Sequence, residues 1–207
     1  FTNRTEEDSI KELKKYIDKM NSSQNIEEFV NNAIDVNYKL STDILLSPCI
    51  LFNPQGESEK YFGLDLITYD WDNQQSFYTT ENYDSKIRMY KKYDIQLLKK
   101  YGYSSKEAIE ISERVQEMYK EISRFSEINQ NKLLDKGFKT YKIKDLQEQL
   151  NNIPINTVIS YYSEFFDKNN EIMVVDINQL KMINEYLREE NLETLKNCAE
   201  LKILTTY

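Results

Sequence analysis

Residues 70–81 carry the most suggestive spacing of carboxylates in the chain. Asp70, Asp72 and Glu81 occupy the first, third and twelfth places of a segment comparable with the calcium loop D-x-D-x-[DN]-G-x5-E. Gln74 and Gln75 fill the fifth and sixth places. Without the glycine that makes the sharp turn around the ion, the expectation is a solvated acidic turn. The adjacent acids Glu6-Glu7, Glu27-Glu28 and Glu189-Glu190 fall on predicted polar helix faces. Sequence neighbours on a helix point about 100° apart, whereas acid–base work needs two carboxylates converging in a cleft, so all three read as hydrated charge.

None of the 207 residues is histidine. That removes Ser-His and Cys-His dyads, the facial metal triad and the H-E-x-x-H helix, and with them most routes to hydrolysis near neutral pH. Two cysteines, Cys49 and Cys198, are too few for a disulfide scaffold and are expected to be two buried thiols. No phosphate-cradling, dinucleotide-binding, nucleophile-elbow or C-x-x-C pattern occurs. Asn3-Arg4-Thr5 and Asn21-Ser22-Ser23 match the glycosylation sequon, as chance allows in so asparagine-rich a chain. The 16 tyrosines, many beside apolar positions, read as core and helix-interface residues with one wet end. No residue is assigned a catalytic or metal-binding role, no cofactor is expected in this chain, and no substrate-contacting residue is identifiable.

The formal charge of −8 argues against nucleic acid or an anionic membrane as partner, and no apolar run approaches the ~18 residues of a bilayer span. Phe1 stands where an initiator methionine is usual, with no signal-peptide pattern after it, so the start reads as cut. Only 4 glycines and 3 prolines punctuate the chain, which points to helices.

The fold class expected is mainly α: an irregular multi-helix domain with a long antiparallel helix pair and minor β structure, in short strands near 44–67 and 172–175. The whole of 1–207 is read as one helical lobe, incomplete at both ends. Residues 1–40 are helical: Thr5 to Asp8 resembles a capping box before Ile10, Leu13, Ile17 and Met20, and Asn25 caps a helix that buries Ile26, Phe29, Val30 and Ala33. Residues 41–81 are loop-rich. The helix pair spans 82–130, with Tyr83, Ile87, Tyr90, Leu97 and Tyr101 on one face, Gly102 at the left-handed C-terminal position, and a capping box at Ser104 to Glu107. Ala108, Ile111, Val115, Met118, Ile122 and Phe125 continue the second helix. Residues 138–207 hold short helices and a short strand: Lys144 to Leu150, Pro154 to Phe165, the strand, a capping box at Asp176 to Gln179 followed by Leu180, Ile183 and Leu187, and a last helix with Leu192, Leu195, Cys198 and Leu201.

From Gly63 onward, the order of these features resembles the N-terminal, largely helical part of the neprilysin-type zinc endopeptidases. Gly63-Leu64-Asp65-Leu66 matches that family's G-L-x-L-P segment with Ile67 for the proline, and Asp70-Trp71 stands in for Asp-Tyr. Tyr83, Ile87, Leu97, Leu98 and Gly102 match the next helix, and Ala108 through Ile122 the one after, with Tyr119 and Ser123 in place of the usual glutamate and alanine. Tyr141 to Leu146, Pro154 to Asn156, Val174-Val175, Leu180 to Leu187 and Thr194-Leu195-Lys196 follow in family order. The chain departs from the pattern in lacking tryptophans near Thr157 and Leu201, and Cys198 sits where an aromatic is common.

The resemblance implies a non-catalytic helical lobe that forms a chamber wall limiting peptide access. By the same resemblance, zinc, its H-E-x-x-H helix and the catalytic lobe lie in further C-terminal sequence of a full-length peptidase. The partners implied are that missing catalytic lobe and, for the full-length protein, a peptide substrate. A free-standing all-α interaction module is the alternative reading, and an independent carboxylate enzyme ranks last. A lobe parted from its mate should expose apolar side chains, from residues 44–78 and from Leu201, Ile203 and Leu204, and should self-associate or melt low.

With no imidazole and two thiols, the chain cannot assemble a tetrahedral zinc set. The purified 207-residue chain is expected to hold no stoichiometric zinc and to cleave no peptide. Zinc retained after dialysis, or chelator-sensitive peptide hydrolysis, contradicts this.

Overall fold

Helix α1 (Glu6–Asn21) buries Leu13, Ile17 and Met20 on one stripe, and α2 (Ile26–Leu40) buries Phe29, Val30 and Ala33 at the predicted positions, as seen in a computed structural model that describes residues 6–52, 60–65, 67, 83–124, 139–162 and 171–206. Thr5, the start of the expected capping box, lies outside the described residues. Asn25 caps α2 as its type predicts: its Oδ1 accepts the Glu28 N–H at 2.8 Å. The acids assigned to hydrated surface also serve this helix end. Glu28 accepts the Gln24 N–H at 2.8 Å, and Glu189, distant in sequence, accepts the Ile26 N–H at 3.0 Å.

Beyond α2 the backbone turns sharply. Ser41 at φ 52° closes the helix, and Leu45 at φ 59° is a branched residue held in the left-handed region. The buried Asn37 amide stabilises that path: its Oδ1 accepts the Ile44 N–H at 2.8 Å, and its Nδ2 donates to the carbonyls of Ile44 at 3.1 Å and Leu46 at 3.2 Å.

The chain then enters a four-stranded sheet in the order β1-β2-β4-β3, with β1 (Ser47–Phe52) and β2 (Lys60–Asp65) antiparallel, β2 and β4 (Glu171–Val174) parallel, and β3 (Lys139–Lys142) antiparallel to β4. Pro48 is tolerated because β1 is the edge strand of this order. The expected loop-rich 41–81 region thus contains a paired hairpin, while the acidic segment from Asp70 to Glu81 lies outside the described residues. Gly63 sits at a close approach: a Cβ there would stand 2.3 Å from Leu51 Cδ1 and 3.0 Å from the Met173 carbonyl oxygen. The parallel ladder extends one residue past β4 through the Val175 N–H donating to the Leu64 carbonyl at 3.1 Å.

Helices α3 (Tyr83–Tyr101) and α4 (Ser105–Arg124) pack together as the expected antiparallel pair. Gly102 has φ +127°, where an L side chain is strained, and Tyr103 N–H returns to the Leu98 carbonyl at 3.0 Å. The Ser104–Glu107 capping box forms in both directions, Glu107 N–H to Ser104 Oγ at 3.3 Å and Ser104 N–H to Glu107 at 3.0 Å. One position of the predicted face is corrected: Leu98, not Leu97, is fully buried, and the stripe is centred on Asp94, which accepts from Ser112 at 3.2 Å and Gln116 at 3.0 Å. A polar residue holding the middle of the seam is invisible to apolar periodicity. Phe125 and the expected continuation of α4 lie outside the described residues.

Helices α5 (Ile143–Gln149) and α6 (Ile155–Tyr161) follow β3. Asp176 caps α7 (Ile177–Tyr186) by accepting from the N–H groups of Asn178 and Gln179. The expected reciprocal box does not form, because the buried Gln179 amide is spent on Ile67: Oε1 accepts the Ile67 N–H at 3.0 Å, and Nε2 faces its carbonyl at 3.5 Å.

The last helix, α8 (Leu192–Thr205), packs against α1, α2, α3 and α4. The expectation that its end is left without partners is corrected: Leu201, Ile203 and Leu204 are 2%, 0% and 7% exposed. In the 44–78 stretch, Ile44, Leu45, Leu46, Phe62, Leu64 and Ile67 are buried as well, and Phe52 is the large exposed apolar side chain among its described residues. These side chains are covered because α8 packs against four other helices, so its apolar residues meet the core on more than one side.

Asn37→Ala would leave three buried backbone groups without partners, at roughly 1–3 kcal/mol for each unsatisfied group. The substitution is expected to lower unfolding free energy in urea by at least about 2 kcal/mol. Gly63→Ala, whose Cβ would displace Leu51 and press on the Met173 carbonyl oxygen, is expected to cost about 1–3 kcal/mol. A wild-type midpoint for either variant removes the corresponding account.

Candidate functional site

Two clefts flank the Ser41–Asp43 turn, which Asn37 and the C-cap of α2 hold in place. The first, of about 490 Å³, lies between that turn, α3 and the end of α8; Met89, Tyr90 and Tyr93 form one wall, with Lys202, Thr205 and Thr206 opposite. The second, of about 690 Å³, lies on the other side and is lined by Tyr38, Lys39, Ser47, Pro48 and Tyr162. The described residues include five large exposed apolar side chains, and Tyr38, Met89 and Tyr93, at 44%, 60% and 47% exposure, line these two clefts. Three of the five therefore line clefts beside the same turn, the arrangement expected of a region that meets another molecule or another part of a longer chain.

The clefts are built to stay in shape. Lys202 Nζ meets Asp43 Oδ1 at 2.8 Å with both side chains largely shielded, and the Thr42 and Thr206 hydroxyls are 3.2 Å apart, so the turn is bolted to the end of α8. In the second cleft the Tyr38 ring stands edge-on to Tyr161 at 5.8 Å and to Tyr162 at 5.4 Å, and Tyr162 rests on buried Phe62 at 5.8 Å. Burial, with Tyr38 adding to it, pushes the Tyr162 phenol up to about 12, so it remains a neutral donor or acceptor. Asp35, on α2, is tied to Lys19 and Lys39; burial pushes its carboxyl up, and the two lysines outweigh burial and hold it below the ordinary range. This chemistry is that of a binding surface: phenols, hydroxyls, a thioether and an ion pair already matched.

The thiols fit no nucleophilic role. Cys198 is buried and bonded to the Tyr119 hydroxyl at 3.2 Å, and burial pushes it up to about 12. Cys49, expected to be buried, is only half-buried in β1; burial and then Asp65 push it up to about 11. Among the described residues, no three His, Cys, Asp or Glu side chains gather as a metal set. Glu28 and Glu189 are committed to backbone N–H groups at the start of α2, and Glu27 lines a separate cleft among Asn31, Asn151 and Asn152 with no second carboxylate in its wall. The cleft residues Tyr38, Met89 and Tyr93 escaped sequence reasoning because α2 and α3 are distant in sequence; the signal available was large apolar side chains on otherwise charged helix faces.

A model of the N-terminal region of Peptidase family M13 matches residues 2–207. No curated protein sequence matches the chain. Among solved structures it is similar to the Mycobacterium tuberculosis zinc metalloprotease Zmp1 in complex with an inhibitor, with a TM-score of 0.79 and 12% identity over 94% of this chain and 30% of that one. The open state of Zmp1 matches with a TM-score of 0.78 and 11% identity, over 96% of this chain and 31% of that one. PepO from Lactobacillus rhamnosis matches with a TM-score of 0.76 and 11% identity, over 95% of this chain and 31% of that one. At such identities these likenesses establish the fold. The chain spans about 30% of the length of the solved structures it resembles.

Removing one member of the shielded Lys202–Asp43 pair leaves its partner partly desolvated. Lys202→Met is expected to lower stability by about 1–2 kcal/mol, and adding Asp43→Asn is expected to restore part of the loss. A double-mutant cycle in urea with no coupling between the two positions removes the pair from the account.

Proposed function

The chain belongs to peptidase family M13, of which it is the N-terminal domain, and we propose that it serves a longer zinc peptidase as a non-catalytic helical wall that limits which peptides reach the active site. The carrying observation is the gathering of Tyr38, Met89 and Tyr93 on the clefts beside the Ser41–Asp43 turn, in a chain that spans about 30% of the zinc metalloprotease structures it resembles. On this reading those clefts face the catalytic portion or the peptide within it.

Zinc is expected in the full-length protein, as in the family, but this chain's donors do not fit that ion. Histidine is absent from the sequence, Cys198 is sealed in the core, and Cys49 sits in a strand with its thiol pushed up. The residues here therefore act by shape. A rigid wall whose turn is locked by Asn37, Lys202 and Asp43 excludes bulky chains sterically, and exposed phenol rings offer apolar contact to extended peptide at little entropic cost.

One observation favours the second reading, a free-standing interaction module. The α8 end closes its own core without help from further sequence, so nothing in its packing demands a mate. The gene separates the two. A reading frame that continues past Tyr207 into H-E-x-x-H, with a cellular protein of matching mass, is the outcome expected; a natural protein ending at Tyr207 overturns the role as the wall of a longer peptidase. In the longer polypeptide, Tyr93→Glu with Met89→Glu is expected to change the ratio of kcat/KM for long and short peptides severalfold while zinc content stays at one per chain. An unchanged ratio removes these clefts from substrate selection.

A further inference from the structure

The α8 helix carries a buried carboxylate that the peptidase reading does not use. Glu200 is 1% exposed and sits where α8 meets α1 and the Gly102–Tyr103 turn. Its Oε2 accepts the Tyr103 hydroxyl at 2.8 Å. Its Oε1 is sealed from solvent with no hydrogen bond of its own, and the Asn197 Nδ2 one turn earlier is in the same condition. Among the described residues no cation pairs with it: Lys14, the nearest positive influence from α1, is engaged by Asp18 at 2.9 Å. We propose that Glu200 is a proton-operated latch on the junction of α1, α8 and the α3–α4 turn, tightened when the carboxyl is protonated and loosened when it ionises.

The groups facing Glu200 bear this out from each element packed on it. Burial pushes its carboxyl above the ordinary glutamate range. Tyr103 pulls the other way by hydrogen bonding to the ionised form, the Asn21 side chain at the end of α1 also favours that form, and the negative charges of Glu193, on α8, and Asp18, on α1, add to the upward push. Tyr101, at the end of α3, is itself pushed up by burial and then by Glu200, so it stays neutral beside the carboxyl and supplies no charge to offset it. Burial first, and Glu200 next, keeps the Tyr103 phenol protonated through neutral pH, so it remains the donor throughout. Since the folded-state pKa lies above the unfolded one, the stabilising contribution is whole below the unfolded value and is lost as pH rises through the folded one. The device therefore works in the window that opens upward from the ordinary glutamate range, with acid tightening the junction.

The test is thermal unfolding of the 207-residue chain across pH 4–8 for wild type, Glu200→Gln and Tyr103→Phe. Glu200→Gln, a permanent mimic of the protonated form, is expected to match wild type at the acid end and to exceed it by about 2–4 °C near pH 8. Tyr103→Phe removes the donor to the ionised form and is expected to lose more at pH 8 than at pH 4. Curves for wild type and Glu200→Gln separated by the same interval at every pH overturn the proposal. If Glu200→Gln fails to fold, the wild-type chain decides by itself: a ¹³C carboxyl titration of Glu200 with its midpoint above about 4.3 supports the latch, and one at or below that value overturns it.

Discussion

Burial of α8 is the constraint on which the rest of the structure depends. It packs against α1, α2, α3 and α4, so apolar residues occupy more of its circumference than a one-sided stripe provides. A helix enclosed in this way must also dispose of the polar side chains that its sequence contains. Cys198 is met by the Tyr119 hydroxyl, Lys202 by Asp43, and Glu200 by Tyr103. Each partner comes from a different part of the chain, so these polar matches fix how α2, α4 and the α3–α4 turn sit around α8, while the apolar contacts supply most of the favourable free energy.

The scarcity of glycine and proline creates a second requirement. Irregular backbone between helices cannot rely on residues made for turns, and side-chain amides stand in for the missing backbone partners. Asn37 holds Ile44 and Leu46, and Gln179 holds Ile67. Gln147 donates to the carbonyls of Leu150 and Ile153 and accepts the Ile155 N–H, so one side chain joins α5 to α6. Asn184 accepts the Asn152 N–H at 2.8 Å and donates to Asn151, fastening the same connection to α7. The amide-rich composition is thus a structural resource, because one amide presents a donor and an acceptor in the geometry that a peptide group would.

This division also accounts for what was legible in the sequence. The helix pair, the Asn25 and Asp176 caps, and the Ser104–Glu107 box rest on residues within a few positions of each other, where type and spacing carry the whole mechanism. The parallel pairing of β2 with β4, the Gln179 grip on a backbone 112 residues away, and the Asp94 seam depend on partners that no local pattern announces. The apolar stripe through Leu97 misses fully buried Leu98 for the same reason: the seam is centred on a carboxylate, and a stripe drawn through apolar residues alone drifts around it. The clefts were not legible at all, since Tyr38 on α2 and Met89 and Tyr93 on α3 come to line clefts beside one turn only through the packing of both helices on α8. The family resemblance, by contrast, survives in the order of weak local features, because their order outlasts the identity of any one of them.

The closure of the core around Leu201, Ile203 and Leu204 bears on how such a wall would work. A lobe that owed its stability to a catalytic partner would open when the partner moved, and its clefts would lose their shape with it. Here the apolar ends of α8 are satisfied internally, and the Ser41–Asp43 turn is fastened to them through Lys202 and Thr206. The exposed side chains on the cleft rims are presented by helices packed on a closed core, so contact with another body would be made and broken without unfolding either. Size selection by a wall requires that combination, since a sieve that deforms under a large peptide does not exclude it. The same closure leaves the Glu200 junction as the place where a change in charge, not a change in partner, would alter how firmly the helical domain holds together.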